Sequence, residues 1–190
     1  MLTQGSGAQT GATTAPAGRF ALVAFAPESI VEDLRKVRAW CPRSGVPIMD
    51  CHVPLSPRLQ ALPDPPAALD ALARAVHGFP AFTVRTTEPE VVPRGEGVDV
   101  VLALEESAQL ELLRERVVAA LGPLTAAERE QRRPDVPVVE AISRGAVEAT
   151  LAIIAGWRLN YAWVVRDLDL VALQRGRLWR SLGRLDFGRP

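Results

Sequence analysis

The sequence predicts a mixed α+β domain built on antiparallel sheets. Three observations carry that prediction. Apolar runs of strand length alternate with helical segments, the helices are too few to place one between every strand pair of a parallel sheet, and the composition supports a core. In 190 residues, 48% are hydrophobic and 23% charged, which excludes wholesale disorder. Lys and Arg number 22 and Asp and Glu number 22, so a broad basic surface for nucleic acid or membrane is excluded and any polyanion site has to be local. Lys36 is the only lysine. The arginines suit bidentate contacts to carboxylate or phosphate, and equally a GC-rich genome.

Residues 1–18 are small, uncharged and without hydrophobic periodicity, and are expected to form a flexible tail before a folded domain at 19–190. Residues 19–26, RFALVAFA, are an apolar run stopped by Pro27 and read as a strand. Ser29 and Glu32 have the spacing of a capping box and open a helix with Ile30, Leu34 and Val37 on one stripe, ended by Pro42. Residues 46–55 are the next extended stretch, and Pro47 and Pro54 assign it to an edge because each lacks a ladder N–H. Asp64 before Pro65 and Pro66 starts a second helix, with Leu69, Leu72 and Val76 on one face. His77 falls in its last turn, where a structural role is expected.

Residues 81–86 and 98–104 are two strands, with a short extended piece at 90–93 and a turn at 94–97 between them. The clearest helix is 107–121, with Leu110, Leu113, Val117 and Leu121 along one stripe and Gly122-Pro123 as its stop. A polar stretch leads into a strand at 135–142, then a helix at 146–155. Residues 161–165 and 168–173 are extended, and a turn at 174–177 leads to a last strand at 178–187. The order is β-α-β-α-β-β-α-β-α-β-β, with no tandem repeat.

No apolar run reaches the roughly 18 to 20 residues that cross a bilayer, and residues 1–18 lack the basic start and apolar core of an export signal. A soluble cytoplasmic protein is expected. Cys41 and Cys51 make no disulfide framework, and with only His52 and His77 beside them they form no paired metal-ligand pattern. There is no P-loop, dinucleotide glycine fingerprint or nucleophile elbow, and no cofactor is expected. Cys51 and His52 are neighbours in an extended stretch, so they face opposite sides and make no dyad.

Two segments are alike. Cys51-His52-Val53-Pro54-Leu55 and Pro134-Asp135-Val136-Pro137-Val138 each set a polar residue two positions before a proline. Residues i and i+2 of a strand face the same way, so His52 shares a face with Pro54 and Asp135 with Pro137. Placed side by side about a pseudo-twofold axis, these strands would confront His52 with Asp135 across a cleft.

With these features the chain resembles the 2H phosphoesterases, which include the bacterial 2′-5′ RNA ligases and cyclic phosphodiesterases. The resemblance runs over nearly everything after Arg19: the opening strand ending in Ala-Pro, the first helix, HVPL, the helix and hairpin, the helix at 107–121, DVPV, and a closing hairpin whose last strand starts near Trp179. It implies two similar lobes of antiparallel sheet with outer helices around a central groove. It also implies a chemistry. Active members carry two H-x-T or H-x-S motifs, in which one imidazole takes a proton, the other gives one, and two hydroxyls hold the phosphate. Carried onto this sequence, the catalytic positions are His52 and Asp135, the latter in place of histidine, and the hydroxyl positions hold Pro54 and Pro137.

Three functions are compatible with these residues. In the first, a degenerate groove binds a nucleotide or RNA end, with Arg58, Arg132 and Arg133 as phosphate ligands, unless those arginines merely solvate loops. In the second, His52 and Asp135 form an acid/base pair acting on a cyclic phosphate or another small ester, unless His52 is only a packed remnant. In the third, the groove or Trp157, Trp163 and Trp179 serve a protein partner, unless the tryptophans are core. Oligomeric state stays open.

Overall fold

Apolar residues at every position make β1 (Phe20–Phe25) a strand covered on both faces. It lies inside a four-stranded sheet with β2 (His52–Pro54), β7 (Asp167–Gln174) and β8 (Leu178–Asp186), in the order β2-β1-β7-β8. A second sheet joins β3 (Phe82–Arg94), β4 (Gly97–Leu104), β5 (Asp135–Ile142) and β6 (Ala162–Val165) in the order β5-β4-β3-β6. Every pairing in both sheets is antiparallel, as the sequence predicts. These elements belong to a computed structural model that describes residues 19–42, 49–56, 59, 62, 64–94, 97–122, 134–174 and 178–188. The tail expected at 1–18 lies outside the described residues.

Four helices cover the sheets: α1 (Glu28–Trp40), α2 (Pro65–Val76), α3 (Ala108–Leu121) and α4 (Val147–Ala155). Each buries a stripe at helical spacing, such as Ile30, Leu34 and Val37 on α1 and Leu110, Leu113, Val117 and Leu121 on α3. Asp64 caps α2 by accepting from the Ala67 N–H at 2.9 Å, and Ser107 caps α3 by accepting from the Leu110 N–H at 3.3 Å. His77 closes α2 by donating its backbone N–H to Ala73 at 3.0 Å.

Three expectations need correction. The capping box at Ser29 and Glu32 does not form. Pro27 is the N-cap of α1 and its carbonyl accepts from Ile30 and Val31, which leaves Ser29 inside the first turn with no capping bond. Of the strand expected at 46–55, residues 46–48 lie outside the described residues and the rest shows a strand only at His52–Pro54, because the carbonyls of Met49 and Asp50 are engaged by the side chains of Arg38 and His52 rather than by a ladder. The pieces at 81–86 and 90–93 form one continuous β3. Its prolines are tolerated because, among the described residues, β6 pairs only with Phe82 to Arg85 and no strand pairs with that edge of β3 beyond them, and a bulge between Thr86 and Pro89 resets the register.

The core between sheets and helices is a single cluster running through both lobes. Phe79, Phe82 and Phe187 join the lobes at one end: Phe82 of the second sheet stacks on Phe187, which follows β8 of the first, with ring centroids 6.4 Å apart, while Phe79 meets both edge-on. A smaller cluster of Ala21, Val23, Met49 and Val171, with Phe25 and Trp179 packed on it, lies on the opposite face of the first sheet. That face lines the groove.

Candidate functional site

The unit β1-α1-β2 in one lobe is repeated as β4-α3-β5 in the other, and the registers match position for position. Val23 pairs with Pro54, Ala24 with Val53 and Phe25 with His52. In the second lobe Val101 pairs with Pro137, Leu102 with Val136 and Ala103 with Asp135. Val53 and Val136 point into the main core, so the alternate residues His52, Pro54, Asp135 and Pro137 face the other way, on the groove side. β2 and β5 are each the edge of their sheet and lie against one another, which brings the two look-alike segments together. His52 is 5% exposed and Asp135 8% exposed, so both are held inside the groove floor.

His52 is oriented by its own strand. Its Nδ1 lies 2.7 Å from the Asp50 carbonyl oxygen, and because a carbonyl only accepts, Nδ1 carries the hydrogen. Nε2 is then the basic nitrogen of the neutral ring. The Asp50 carboxylate is gripped by Arg35 of α1, whose Nη2 contacts both its oxygens at 2.9 and 3.0 Å; this hydrogen-bonded carboxylate raises the Arg35 pKa. Cys51 points into the core, away from His52, and burial pushes its thiol up to about 12. It is therefore no thiolate nucleophile near neutral pH.

Beside His52 a cavity of about 640 Å³ opens between the lobes, lined by Phe25, Pro27, residues 162–167, Asp169 and Arg184. Phe25 borders both, its ring edge-on to that of His52 with centroids 6.4 Å apart. Phe25, Pro27 and Val164 make an apolar wall, and Arg166 and Arg184 supply cations. Arg184 donates to the Asp167 carboxylate at 2.6 Å, and this contact raises its pKa. The Ser181 hydroxyl donates to Asp169 at 2.6 Å, which fixes that carboxylate on the groove face.

Sequence reasoning missed this cavity, although Arg166 and Asp167 interrupt an apolar stretch where β6 ends in one sheet and β7 begins in the other. Arg58, Arg132 and Arg133 lie outside the described residues. Trp163 is buried and Trp157 and Trp179 are half-buried; the tryptophan that stands out is Trp40, 73% exposed at the end of α1. Among the described residues, no group of His, Cys, Asp or Glu could hold a metal ion, and no helix is long and apolar enough to cross a membrane.

The fold is similar to that of a phosphoesterase crystal structure, at 19% identity over 89% of this chain and 98% of that one, with a TM-score of 0.63. It is similar also to E. coli LigT complexed with 3′-AMP, at 18% identity over 90% and 98% of the two chains, with a TM-score of 0.62. LigT complexed with NADP+ gives 20% identity over 91% and 98%, with a TM-score of 0.64. A search of curated protein sequences returned no match. The family model for the 2′-5′ RNA ligase superfamily matches residues 26–177, so the repeated lobes, the groove between them and the sequence agree that the chain belongs to the 2′-5′ RNA ligase superfamily.

Proposed function

We propose that residues 19–190 form a degenerate member of this superfamily, which binds a nucleotide or an RNA end in the groove with little or no ordinary phosphodiester turnover. The matched register supports this reading most: Pro54 and Pro137 hold equivalent inward positions where the family chemistry needs hydroxyl donors. Proline offers neither a hydroxyl nor a backbone N–H. A donor aimed at developing charge is worth roughly 3 kcal/mol, about a hundredfold in rate, so losing two removes several orders of magnitude. Asp135, as an anion, adds repulsion toward a phosphodiester.

The cavity beside His52 has the size and mixture of a small-molecule site. Phe25 and Val164 offer an apolar wall for a base, Asp167 and Asp169 offer acceptors for amino or hydroxyl groups, and Arg166 and Arg184 offer charge to a phosphate. LigT, of similar fold, is seen with 3′-AMP, NADP+ and ATP. Calorimetric titration with 3′-AMP and a 2′-5′-linked dinucleotide tests the reading. Saturable binding, weakened about tenfold by Arg166→Ala or Arg184→Ala, is the expected result. Arg58, Arg132 and Arg133 enter the same series as further phosphate ligands. Absence of binding across the panel rejects the reading.

A second reading is favoured by one observation. The Asp50 contact that leaves Nε2 basic is the arrangement a general base needs, so His52 paired with Asp135 would act as an acid/base couple on a cyclic phosphate or small ester. Turnover unaffected by His52→Ala would dismiss it.

A further inference from the structure

Arg38 stands in the last turn of α1, in the first lobe, yet its guanidinium reaches the second. Its Nε donates to the Val138 carbonyl at 2.7 Å and its Nη2 to the Pro137 carbonyl at 2.7 Å, both on β5, while its Nη1 donates to the Met49 carbonyl at 3.0 Å. Met49 lies three residues before His52, and Pro137 two after Asp135. One planar fork therefore ties together the approaches to both motif positions.

The sequence of β5 explains why carbonyls are available there. Along β4 and β5 the register passes from Val101↔Pro137 to Val100↔Val139, so Val138 is an extra residue. Such a bulge leaves backbone groups outside the ladder, and a buried carbonyl without a donor is costly. A guanidinium, with donors in a fixed fork, satisfies two successive carbonyls in a way that a point charge on a flexible stem does not. The groups that face Arg38 electrostatically are Cys51, Glu140, Asp50 and Arg35; burial lowers its pKa, but a guanidinium remains charged at physiological pH.

We propose that Arg38 is the positioning residue that fixes the spacing of the His52 and Asp135 strands, and so the width of the groove; the consequence for ligands rests on the groove being the binding site. Two variants separate fork from charge. Arg38→Lys keeps the charge and loses the fork, and Arg38→Met loses both. Hydrogen exchange of amides at 135–142 is expected to speed up about tenfold or more in both, while amides at 167–174 stay at the wild-type rate. The His52 imidazole ¹⁵N signals shift in both variants, and affinity for 3′-AMP falls, more in Arg38→Met than in Arg38→Lys. Exchange that accelerates uniformly along the chain, or 135–142 and His52 signals that stay unchanged in a folded variant, overturns the proposal. If Arg38→Met does not fold, Arg38→Lys decides by the same readouts. Wild-type protein that binds no 3′-AMP sinks the groove reading, while the exchange pattern and His52 signals still decide the role of Arg38.

Discussion

The two lobes carry the same strand-helix-strand unit and spend its irregularity differently. In β1-α1-β2 the three pairs around His52 run in unbroken register. In β4-α3-β5 the strand bearing Asp135 is eight residues long and shifts register twice. The first shift, at Val138, is met by Arg38 from the opposite lobe. The second, near Ala141, is met within the lobe: Ala141 sits at φ 51° and its N–H donates to the Asp99 carboxylate at 2.8 Å. The β1-α1-β2 unit thus provides a regular frame, and the second lobe is pinned to it at its bulge. A shared register sets the geometry of a groove independently of the side chains presented in it, here His52 and Pro54 from one lobe and Asp135 and Pro137 from the other.

The largest expected effect tests whether the helices of the two units are equally built in. Leu34 of α1 and Leu113 of α3 are both fully buried, so Leu34→Ala and Leu113→Ala should each lower unfolding free energy by about 3 kcal/mol in urea titrations. A large gap between them would mean that one lobe relaxes around the lost side chain.

Next in size is an alkaline effect that is largest in the first lobe. The Cys51 thiol rises from 9.0 to about 12 on folding because burial penalises the thiolate. The folded state therefore holds that proton more tightly, so its contribution is full below pH 9 and is lost as the pH rises toward 12. Stability should drop by about 2 to 3 kcal/mol by pH 11, and Cys51→Ala should flatten the curve. Tyr161, also raised to about 12 by burial, leaves a residual slope in that variant.

The caps distinguish the two helices more gently. Ser107→Ala should cost about 1 kcal/mol, since it removes the acceptor at the start of α3, whereas Ser29→Ala in α1 should leave the melting temperature unchanged. Smallest of all, Ala141→Gly should stabilise by some tenths of a kcal/mol, as relief of left-handed strain exceeds the added chain entropy; a loss of stability would show that the bulge does not strain Ala141.

Much of this comparison is legible in the sequence where local signals are strong. The helix ending at Leu121 follows from its apolar stripe and a Gly-Pro stop, and the edge position of the HVP strand follows from Pro54. At the start of α1, Ser29 and Glu32 have the spacing of a capping box, while Pro27, already in extended geometry, occupies the cap itself. The continuity of β3 from 81–86 to 90–93 is not legible, because the pairing that carries the strand past Pro89 is a tertiary fact. The alternation of His52 with Pro54 and of Asp135 with Pro137 gave the shared faces. Arg38 and the cavity around Arg166 and Arg184 could not be read, since both depend on contacts between segments far apart in the chain.

A groove that binds without ordinary turnover is tested by following hydrolysis of 2′,3′-cyclic nucleotides by the purified protein beside its titration with 3′-AMP. Saturable binding with hydrolysis no faster than in buffer is the predicted result. Hydrolysis that disappears in both His52→Ala and Asp135→Ala would contradict it and make the pair a rebuilt catalytic couple.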